Sequence, residues 1–215
     1  MAGIRNLGVY EKIEFLKKFY TGTTTVGIRS IDGIVLATDR RVTSGFYIAH
    51  KHGKKIHKID SHVAATIAGA VADAQNMVET LKAESALYKL EVGRPIRIRS
   101  LATLASTILF NSRPNIYIVQ MIIGGIDDEG PQIYTVDWFG TVTREDKYIA
   151  TGSGTPMALA VLESLYRENL GIEDTVSLAV KAVKAAMRLD PGSGEGIDVV
   201  VIDKKGYREL SFSER

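Results

Sequence analysis

The apolar residues change their spacing at residue 22, and this change divides the chain into two parts. Ahead of residue 22 they recur every three or four positions, as on one face of an amphipathic helix. These residues are Ile4, Leu7, Tyr10, Ile13, Leu16, Phe19 and Tyr20. The Thr21-Gly22 pair then interrupts the helical spacing. The pattern therefore predicts a short helical leader in front of the body of the protein.

From Thr23 onward the pattern predicts pairs of strands that alternate with pairs of helices. The first two strands, residues 23–30 and 33–38, are joined at Asp32-Gly33, which is a strong hairpin signal. Further extended segments are predicted at residues 46–48, 55–59, 62–68, 116–123, 132–136, 140–150, 196–203 and 207–210. Helices are predicted at residues 70–90, 98–111, 156–169 and 175–188, with Asp174 as the cap of the last helix. Residues 124–131 are expected to form a turn.

This order of elements predicts an α+β fold. Helix pairs placed between strand pairs do not supply the repeated βαβ units from which a parallel sheet is built. They can supply two packed sheets that are covered by helices on both outer faces, which is a four-layer αββα sandwich. No linker or repeat interrupts residues 23–215. We therefore expect a removable propeptide, residues 1–22, followed by one domain, residues 23–215.

Composition narrows the possible functions. The 215 residues are 45% hydrophobic and 24% charged, which suits one globular domain with a sizeable core. No apolar run approaches a membrane span, and charged residues interrupt the leader, so a cytoplasmic location is expected. Without cysteine, covalent chemistry has to use oxygen or nitrogen. The net charge of +2 lies in residues 1–22, and the neutral body argues against nucleic-acid binding.

The tract that starts at Gly22-Thr23 is the first candidate for chemistry. Threonine is a good strand former, so Thr23 to Thr25 can simply be the edge of a sheet. The position of the tract favours chemistry, because a glycine between leader and strand lets the Thr23 hydroxyl reach the preceding carbonyl and release the leader. The freed Thr23 would also hold an α-amine, whose ordinary pKa of about 7.7–8.0 suits a general base.

Asp39 and Lys55 are candidates for the electrostatic assistance that a hydroxyl nucleophile needs. Asp39 ends the second predicted strand, and Lys55 follows Gly53 in an extended segment. Such a pair, placed beside the Thr23 amine, would tune its proton. An ordinary ion pair or two solvated charges would explain the same residues. Spacing in the sequence does not separate these interpretations.

Seven segments, in order, resemble the β subunits of archaeal proteasomes closely. They are GTTTVGI at 22–28, ATDRRVT at 37–43, HKHGKK at 50–55, IAGAVADAQ at 67–75, GGID at 124–127, TGSG at 151–154 and GIDV at 196–199. The resemblance runs from Gly22 to about Leu210. It implies the fold of the N-terminal-nucleophile hydrolases. It also implies a threonine endopeptidase that cleaves unfolded polypeptides and is activated by autolysis between Gly22 and Thr23.

The resemblance also implies roles for individual residues. The catalytic set comprises Thr23 as nucleophile, Asp39 and Lys55 as its charged partners, and Ser153, Asp190 and Ser193 as a supporting hydrogen-bond network. The amide of Gly69 is expected to donate to the oxyanion. The pocket for the substrate side chain is expected to be lined by four uncharged residues, Val42, Gly53, Ile67 and Val71. Such a lining predicts cleavage after large apolar residues.

An assembly and partners follow from the same resemblance. Rings of seven β subunits would enclose the threonines, α-subunit rings would gate access, and a separate regulatory ATPase would unfold and deliver polypeptide substrates. The resemblance calls for no metal and no organic cofactor. The leader is longer and more amphipathic than the very short ones common in archaeal subunits, so a role in ring assembly or in delayed activation is a further hypothesis.

Several alternatives stay open. A non-catalytic structural β subunit of a mixed ring would keep the sandwich, although it has no need of Gly22-Thr23 together with the predicted catalytic set. A bacterial two-component peptidase also uses an N-terminal threonine, but its chains usually begin almost at the nucleophile. Residues 50–58 are rich in lysine and histidine but lack the interleaved aromatics of a nucleic-acid site and the carboxylates of a metal site. The glycine-serine loops at 152–154 and 192–194 lack the pattern of a phosphate-binding loop.

Overall fold

The computed structural model describes residues 22–114 and 116–213. The strands of these ranges are β1 Thr24–Arg29, β2 Gly33–Asp39, β3 Val42–Ser44, β4 Tyr47–His50, β5 Ile56–Asp60, β6 Val63–Gly69, β7 Val119–Asp127, β8 Gly130–Val136, β9 Val142–Glu145, β10 Tyr148–Gly152, β11 Ile197–Asp203 and β12 Gly206–Phe212. The helices are α1 Val71–Val92, α2 Ile98–Asn111, α3 Thr155–Leu165 and α4 Ile172–Leu189. The predicted leader helix at residues 4–20 lies outside the described residues.

Ten of these strands form two antiparallel sheets. The first sheet has the order β10-β1-β2-β11-β12, and the second has the order β5-β6-β7-β8-β9. Strands β3 and β4 form a separate hairpin. Each helix pair connects two strands of the same sheet, and the chain passes between the sheets from β2 to β5, through the β3-β4 hairpin, and from β9 to β10. Strands from both halves of the sequence therefore meet in the first sheet. The predicted α+β class is confirmed.

Three apolar clusters show how the layers stack. Alternate residues of β1, such as Val26 and Ile28, face α3 and α4. On the other side of the molecule the second sheet packs in the same way against α1 and α2. The third cluster lies between the sheets, where Ile34 and Leu36 meet Ile122 and Ile133. Since successive side chains of a strand point to opposite faces, each sheet contributes to two clusters. The four-layer αββα sandwich is confirmed.

Two glycines mark where the sheets approach each other closely. A Cβ atom on Gly27 would lie 2.8 Å from Ile122 Cγ2, and one on Gly124 would lie 2.4 Å from Ile34 Cδ1. The prediction of a turn at residues 124–131 is therefore wrong over most of its length. Gly124 belongs to β7. The residue there is a glycine because the facing sheet is so close that a side chain has no room. The turn between β7 and β8 is confined to Asp128-Glu129.

Other element boundaries also differ from the prediction. Gly171, not Asp174, is the N-cap residue of α4, and Asp174 lies in the first turn, where a carboxylate is favoured by the helix dipole. Helix α3 ends at Leu165 because Tyr166 adopts an extended conformation. The sequence pattern also misses β3, which has only three residues. None of the described helices is long and apolar enough to cross a membrane.

Candidate active site

Three of the predicted catalytic residues lie at neighbouring strand ends of the first sheet, and Asp190 and Ser193 lie at the end of α4 and in the loop after it. Thr23 precedes β1, Asp39 ends β2, and Ser153 follows β10. Strand β1 lies between β2 and β10 in the first sheet and is antiparallel to both, so its start adjoins the ends of its two neighbours. Lys55 immediately precedes β5 in the second sheet. The fold thus gathers residues that lie far apart in the sequence at one end of the sandwich.

Thr23 is held beside the peptide bond that it is predicted to attack. Its side-chain Oγ1 donates a hydrogen bond to the carbonyl oxygen of Gly22 at 2.6 Å. Its backbone N–H donates to Ser153 Oγ at 3.0 Å, and the N–H of Gly22 donates to Thr43 Oγ1 at 2.8 Å. Thr23 is only 4% exposed. The Gly22–Thr23 bond is therefore buried and anchored on both sides.

A glycine is required at position 22 by the loop after α4. A Cβ atom on Gly22 would lie 2.0 Å from the Cα of Gly192, far inside van der Waals contact. The approach is mutual, because a Cβ atom on Gly192 would lie 2.3 Å from Gly22 Cα. Two glycines thus let the backbone ahead of Thr23 touch the loop that carries Asp190 and Ser193.

The Asp39 carboxylate forms four hydrogen bonds and is fully buried. Its Oδ1 accepts from Lys55 Nζ at 2.8 Å and from the N–H of Thr24 at 2.9 Å. Its Oδ2 accepts from the N–H groups of Arg41 and Gly194, each at 3.0 Å. The usual hydrogen-bonding capacity of an ionised carboxylate is therefore filled. Asp39 ties together β1, β2, the loop after α4 and the segment before β5.

Burial acts on both members of the Asp39–Lys55 pair. It raises the pKa of the Asp39 carboxyl, while the Lys55 charge and the hydrogen bonds to the carboxylate act in the opposite direction. Burial likewise lowers the pKa of Lys55, against the attraction of Asp39 and Asp190. A lysine in such surroundings gives up a proton more readily than a solvated lysine does. The pair is linked to the start of β1 through the hydrogen bond from the N–H of Thr24, the residue after Thr23, to Asp39 Oδ1.

A chain of hydroxyl groups converges on Asp190. Ser153 and Ser193 each place Oγ at 2.6 Å from Asp190 Oδ2. Thr24 Oγ1 lies 2.7 Å from Ser193 Oγ. Because a hydroxyl has one proton, Ser153 donates to Asp190 and keeps a lone pair for the N–H of Thr23. The carboxylate therefore orients Ser153 toward the nitrogen of the candidate nucleophile.

Arg41 holds the loop after α4 in place, and the sequence analysis missed it. Its guanidinium donates to the carbonyl oxygen of Pro191 at 2.9 Å and contacts Glu195 Oε1 at 3.3 Å. It also covers Gly194, where a Cβ atom would lie 2.4 Å from Arg41 Nη2. Glu195 has a φ of 68°, a conformation that costs energy for a residue other than glycine. Arg41 lies two residues after Asp39 in the segment ATDRRVT, and this position is the signal by which it could have been found.

The remaining predicted residues lie on β6, on α1 and around β3. Gly69 ends β6 with a φ of 124°, and a Cβ atom there would lie 2.1 Å from the carbonyl oxygen of Ile118. Val42 and Gly53 are in contact, since a Cβ atom on Gly53 would lie 2.3 Å from Val42 Cγ2. Ile67 is buried in the cluster that packs against α1 and α2, and Val71, the first residue of α1, is 45% exposed. The oxyanion role and the substrate pocket stay predictions.

The histidines and acidic side chains of the described residues are spread over the fold. Across residues 22–114 and 116–213, no group of three or more histidine and acidic side chains is arranged to hold a metal ion. The histidines of residues 50–58 therefore form no such cluster with acidic residues. The candidate site consists of hydroxyl, carboxylate, ammonium and guanidinium groups with backbone amides.

Comparison with known proteins gives one consistent result. Residues 19–202 match the family described as "Proteasome subunit". The chain is 62% identical over 195 residues to "Proteasome subunit beta 1" of Pyrobaculum aerophilum, covering 90% of this chain and 96% of that protein. It is 60% identical over 194 residues to "Proteasome subunit beta 2" of Pyrobaculum islandicum, with the same coverage. A more distant relative, "Proteasome subunit beta" of Methanothermobacter thermautotrophicus, is 47% identical over 199 residues, which are 92% of this chain and 94% of that protein.

Proposed function

The chain belongs to the proteasome subunit family, as a relative of its archaeal β subunits, and from this premise we propose that it is a catalytic subunit of a proteasome core particle. Its activity is that of a threonine endopeptidase that unmasks its own nucleophile by cleavage between Gly22 and Thr23. One observation supports this proposal above the others. Thr23 Oγ1 lies 2.6 Å from the carbonyl oxygen of Gly22. In the same buried site, Ser153 and Ser193 both donate hydrogen bonds to Asp190.

Activation begins when the Thr23 oxygen attacks the carbonyl carbon of Gly22. The hydroxyl proton passes to a neighbouring base, the C–N bond to Thr23 breaks, and the nitrogen takes up a proton to become a free amine. Gly22 is then joined to Thr23 Oγ1 by an ester, which water hydrolyses. The leader leaves with the Gly22 carboxylate, and Thr23 becomes the N-terminal residue.

The free amine then serves as the base in peptide hydrolysis. It takes the hydroxyl proton of Thr23 as the oxygen attacks the substrate carbonyl, and it gives that proton to the departing amine. The N–H of Gly69 donates to the oxyanion that develops. Water finally cleaves the acyl-enzyme ester and restores the hydroxyl. In the precursor Ser153 Oγ is already 3.0 Å from the same nitrogen, so little movement is needed.

Membership of the family supports a proposal for the assembly and the substrate class. We assign the chain to a heptameric β ring that stacks with α-subunit rings and receives unfolded polypeptides from a regulatory ATPase in the cytoplasm. Cleavage after large apolar residues is expected, because Val42, Gly53, Ile67 and Val71 carry no charge. Neither the chemistry nor the assembly calls for a cofactor.

The competing proposal is a structural β subunit that never unmasks its threonine. The observation that favours catalysis is the completeness of the network. Asp39 keeps Lys55 at 2.8 Å, and Asp190 keeps both Ser153 and Ser193 at 2.6 Å. A purely structural subunit would gain little from these contacts, since a buried ion pair adds little stability compared with apolar packing.

The intact mass of the subunit after co-assembly with its α partner tests the proposal. A mass that matches residues 23–215 is expected, together with hydrolysis of a peptide that carries a large apolar residue. Thr23→Ala should keep the full-length mass and show no turnover, while Thr107→Ala, at an exposed position of α2, should behave as the unaltered chain. A full-length chain in an assembled and inactive particle would favour the structural subunit.

A further inference from the structure

Three buried threonine hydroxyls form a polar chain between the two sheets. Thr66 Oγ1 on β6 donates to Thr25 Oγ1 on β1 at 3.1 Å, and Thr25 Oγ1 lies 2.6 Å from Thr151 Oγ1 on β10. The N–H of Ile122 on β7 donates to Thr66 Oγ1 at 3.2 Å. Thr25 and Thr66 are completely buried, and Thr151 is nearly so. These hydrogen-bonded hydroxyls, called the hydroxyl chain below, therefore connect the second sheet to the first through the interior.

The hydroxyl chain is a polar feature in apolar surroundings. The space between the sheets is filled largely by aliphatic side chains such as Ile34, Leu36 and Ile122. A buried hydroxyl is costly unless it is hydrogen-bonded, and here each one has a partner. A hydrogen bond also requires a defined distance and direction, which aliphatic packing does not. The chain thus fixes how β1 sits over β6 more narrowly than apolar contacts do.

The position of the chain links it to the candidate active site. Thr25 is two residues from Thr23 and belongs to β1, which begins directly after Thr23. Thr66 is opposite Ile56, the residue after Lys55, and the N–H of Ile67 donates to the carbonyl oxygen of Lys55 at 2.9 Å. Gly69 is three residues beyond Thr66 on the same strand. Thr25 is thus close in sequence to Thr23 on the first sheet, and Thr66 lies near Lys55 and Gly69 on the second sheet.

We propose that Thr66, through its hydrogen bond to Thr25, is a positioning residue that sets the distance between Thr23 on the first sheet and Lys55 and Gly69 on the second. This inference rests on the proposed peptidase function. Loss of the hydroxyl chain would let the sheets shift slightly against each other. A displacement of about 1 Å between reacting groups can cost on the order of 100-fold in rate. Substrate binding outside the reacting groups would change little.

Isosteric substitution in the co-assembled particle tests the proposal. Thr66→Val keeps the shape of the side chain but removes the hydroxyl, and we expect kcat for an apolar peptide to fall by about 10-fold with KM within about twofold. Thr66→Ser keeps the hydroxyl, and its kcat should stay close to that of the parent particle. The control is Thr175→Val, which removes the equally buried hydroxyl that donates to Gly171 O at 2.8 Å at the start of α4. It should lower the melting temperature similarly and leave kcat unchanged.

The outcomes separate the two proposals. An unaltered particle that neither loses residues 1–22 nor cleaves peptide overturns the proposed function, and with it this inference. An active particle in which Thr66→Val keeps full kcat, or in which Thr175→Val loses as much, overturns the positioning role alone. If Thr66→Val does not assemble, Thr151→Val replaces it, since it removes only the last hydroxyl of the chain. A several-fold lower kcat supports the role, and an unchanged kcat overturns it.

Discussion

At the scale of single residues, Lys55 is the most exacting test of the site. Its Nζ lies 2.8 Å from Asp39 Oδ1, and both side chains are almost completely buried. We predict that Lys55→Ala yields an assembled particle that retains residues 1–22 and does not hydrolyse peptide. Because the substitution leaves a buried carboxylate without its counter-charge, the free energy of unfolding should fall by about 3–5 kcal/mol. Intact mass, peptide turnover and chemical denaturation measure the three effects.

The neighbouring lysine provides the control for Lys55. Lys54 pairs with Glu209 at 3.6 Å, and its side chain is 62% exposed. An exposed pair of this kind contributes less than about 1 kcal/mol, so Lys54→Ala should be nearly neutral in stability, processing and turnover. Normal turnover in Lys55→Ala, or a Lys54→Ala variant as inactive as Lys55→Ala, would contradict the assigned role.

His57 makes the stability of the body depend on pH. Burial on β5 lowers the pKa of His57, and the charges of Lys82 and Lys54 lower it further, against a hydrogen bond with the Lys54 backbone and the charge of Glu79. Its Nε2 has no hydrogen-bond partner among the described residues. Between this lowered pKa and the ordinary value of about 6.5, the unfolded chain binds a proton that the folded chain does not. Stability should therefore fall as the pH decreases from about 7 toward 5.

Removing the imidazole should weaken that pH dependence. For His57→Leu we expect the slope of unfolding free energy against pH to decrease, by at most about 1.4 kcal/mol per pH unit. Chemical denaturation at several pH values measures the slope. His52→Gln, at an exposed position, should keep the parent slope. An unchanged slope in His57→Leu would show that other groups cause the acid sensitivity.

The sequence supplied the identities of the candidate residues but not their contacts. Thr23, Asp39 and Lys55 could be chosen because their segments resemble a known family, and the structure places Asp39 against Lys55. Thr43, which accepts from the N–H of Gly22, and Arg41 were missed. Their roles depend on which strands become neighbours, and that information lies in the tertiary fold. The hydroxyl chain of Thr25, Thr66 and Thr151 was hidden for the same reason.

At the scale of elements, the loop after α4 packs against the backbone just ahead of Thr23. Gly192 on this loop contacts the backbone of Gly22, and its N–H donates to Asp190 Oδ1 at 3.1 Å. In Gly192→Ala the new methyl group would lie 2.3 Å from Gly22 Cα and 3.2 Å from Ser153 Oγ. We predict slow or absent loss of residues 1–22, because the bond to be cleaved is pushed away from its network. The rate at which the full-length mass disappears after assembly measures this effect.

Another glycine near the same helix gives a matched control. Gly171 is the N-cap residue of α4, and a Cβ atom there would meet nothing within 4 Å. Gly171→Ala should therefore process at the normal rate, with a loss of stability of no more than about 1 kcal/mol at the helix cap. Normal processing in Gly192→Ala would mean that the loop and Gly22 can separate without consequence.

Prediction succeeded for elements with regular periodicity. Residues 98–111 were predicted as a helix, and α2 has these bounds because its apolar residues repeat at helical spacing. The prediction failed where local preference and packing disagree. Gly124 and Gly125 suggest a turn locally, but β7 continues through them because the facing sheet needs their missing side chains. The helical leader and its boundary at Gly22 stay predictions.

At the scale of the whole molecule, the close contact between the two sheets at Gly124 and Ile34 can be tested by substitution. A methyl group on Gly124 would lie 2.4 Å from Ile34 Cδ1 and 3.2 Å from Leu36 Cδ2, so Gly124→Ala should destabilise the fold by about 1–3 kcal/mol. Ile34→Val removes the atom that clashes most and should cost about 0.5–1.5 kcal/mol alone. The double variant should be more stable than the sum of the two losses predicts.

A double-mutant cycle measures this coupling, with unfolding free energies for the parent, both single variants and the pair. Residues in contact commonly show interaction energies above about 0.5 kcal/mol, whereas independent sites are additive within about 0.3–0.5 kcal/mol. Gly124→Ala combined with Val183→Ala, on α4 beyond the first sheet, should be additive and serves as the control. Additivity for Gly124 and Ile34 would contradict the close contact between sheets. Coupling would show that the spacing on which Thr23 and Lys55 depend is held by packing at the centre of the sandwich as well as by the hydroxyl chain.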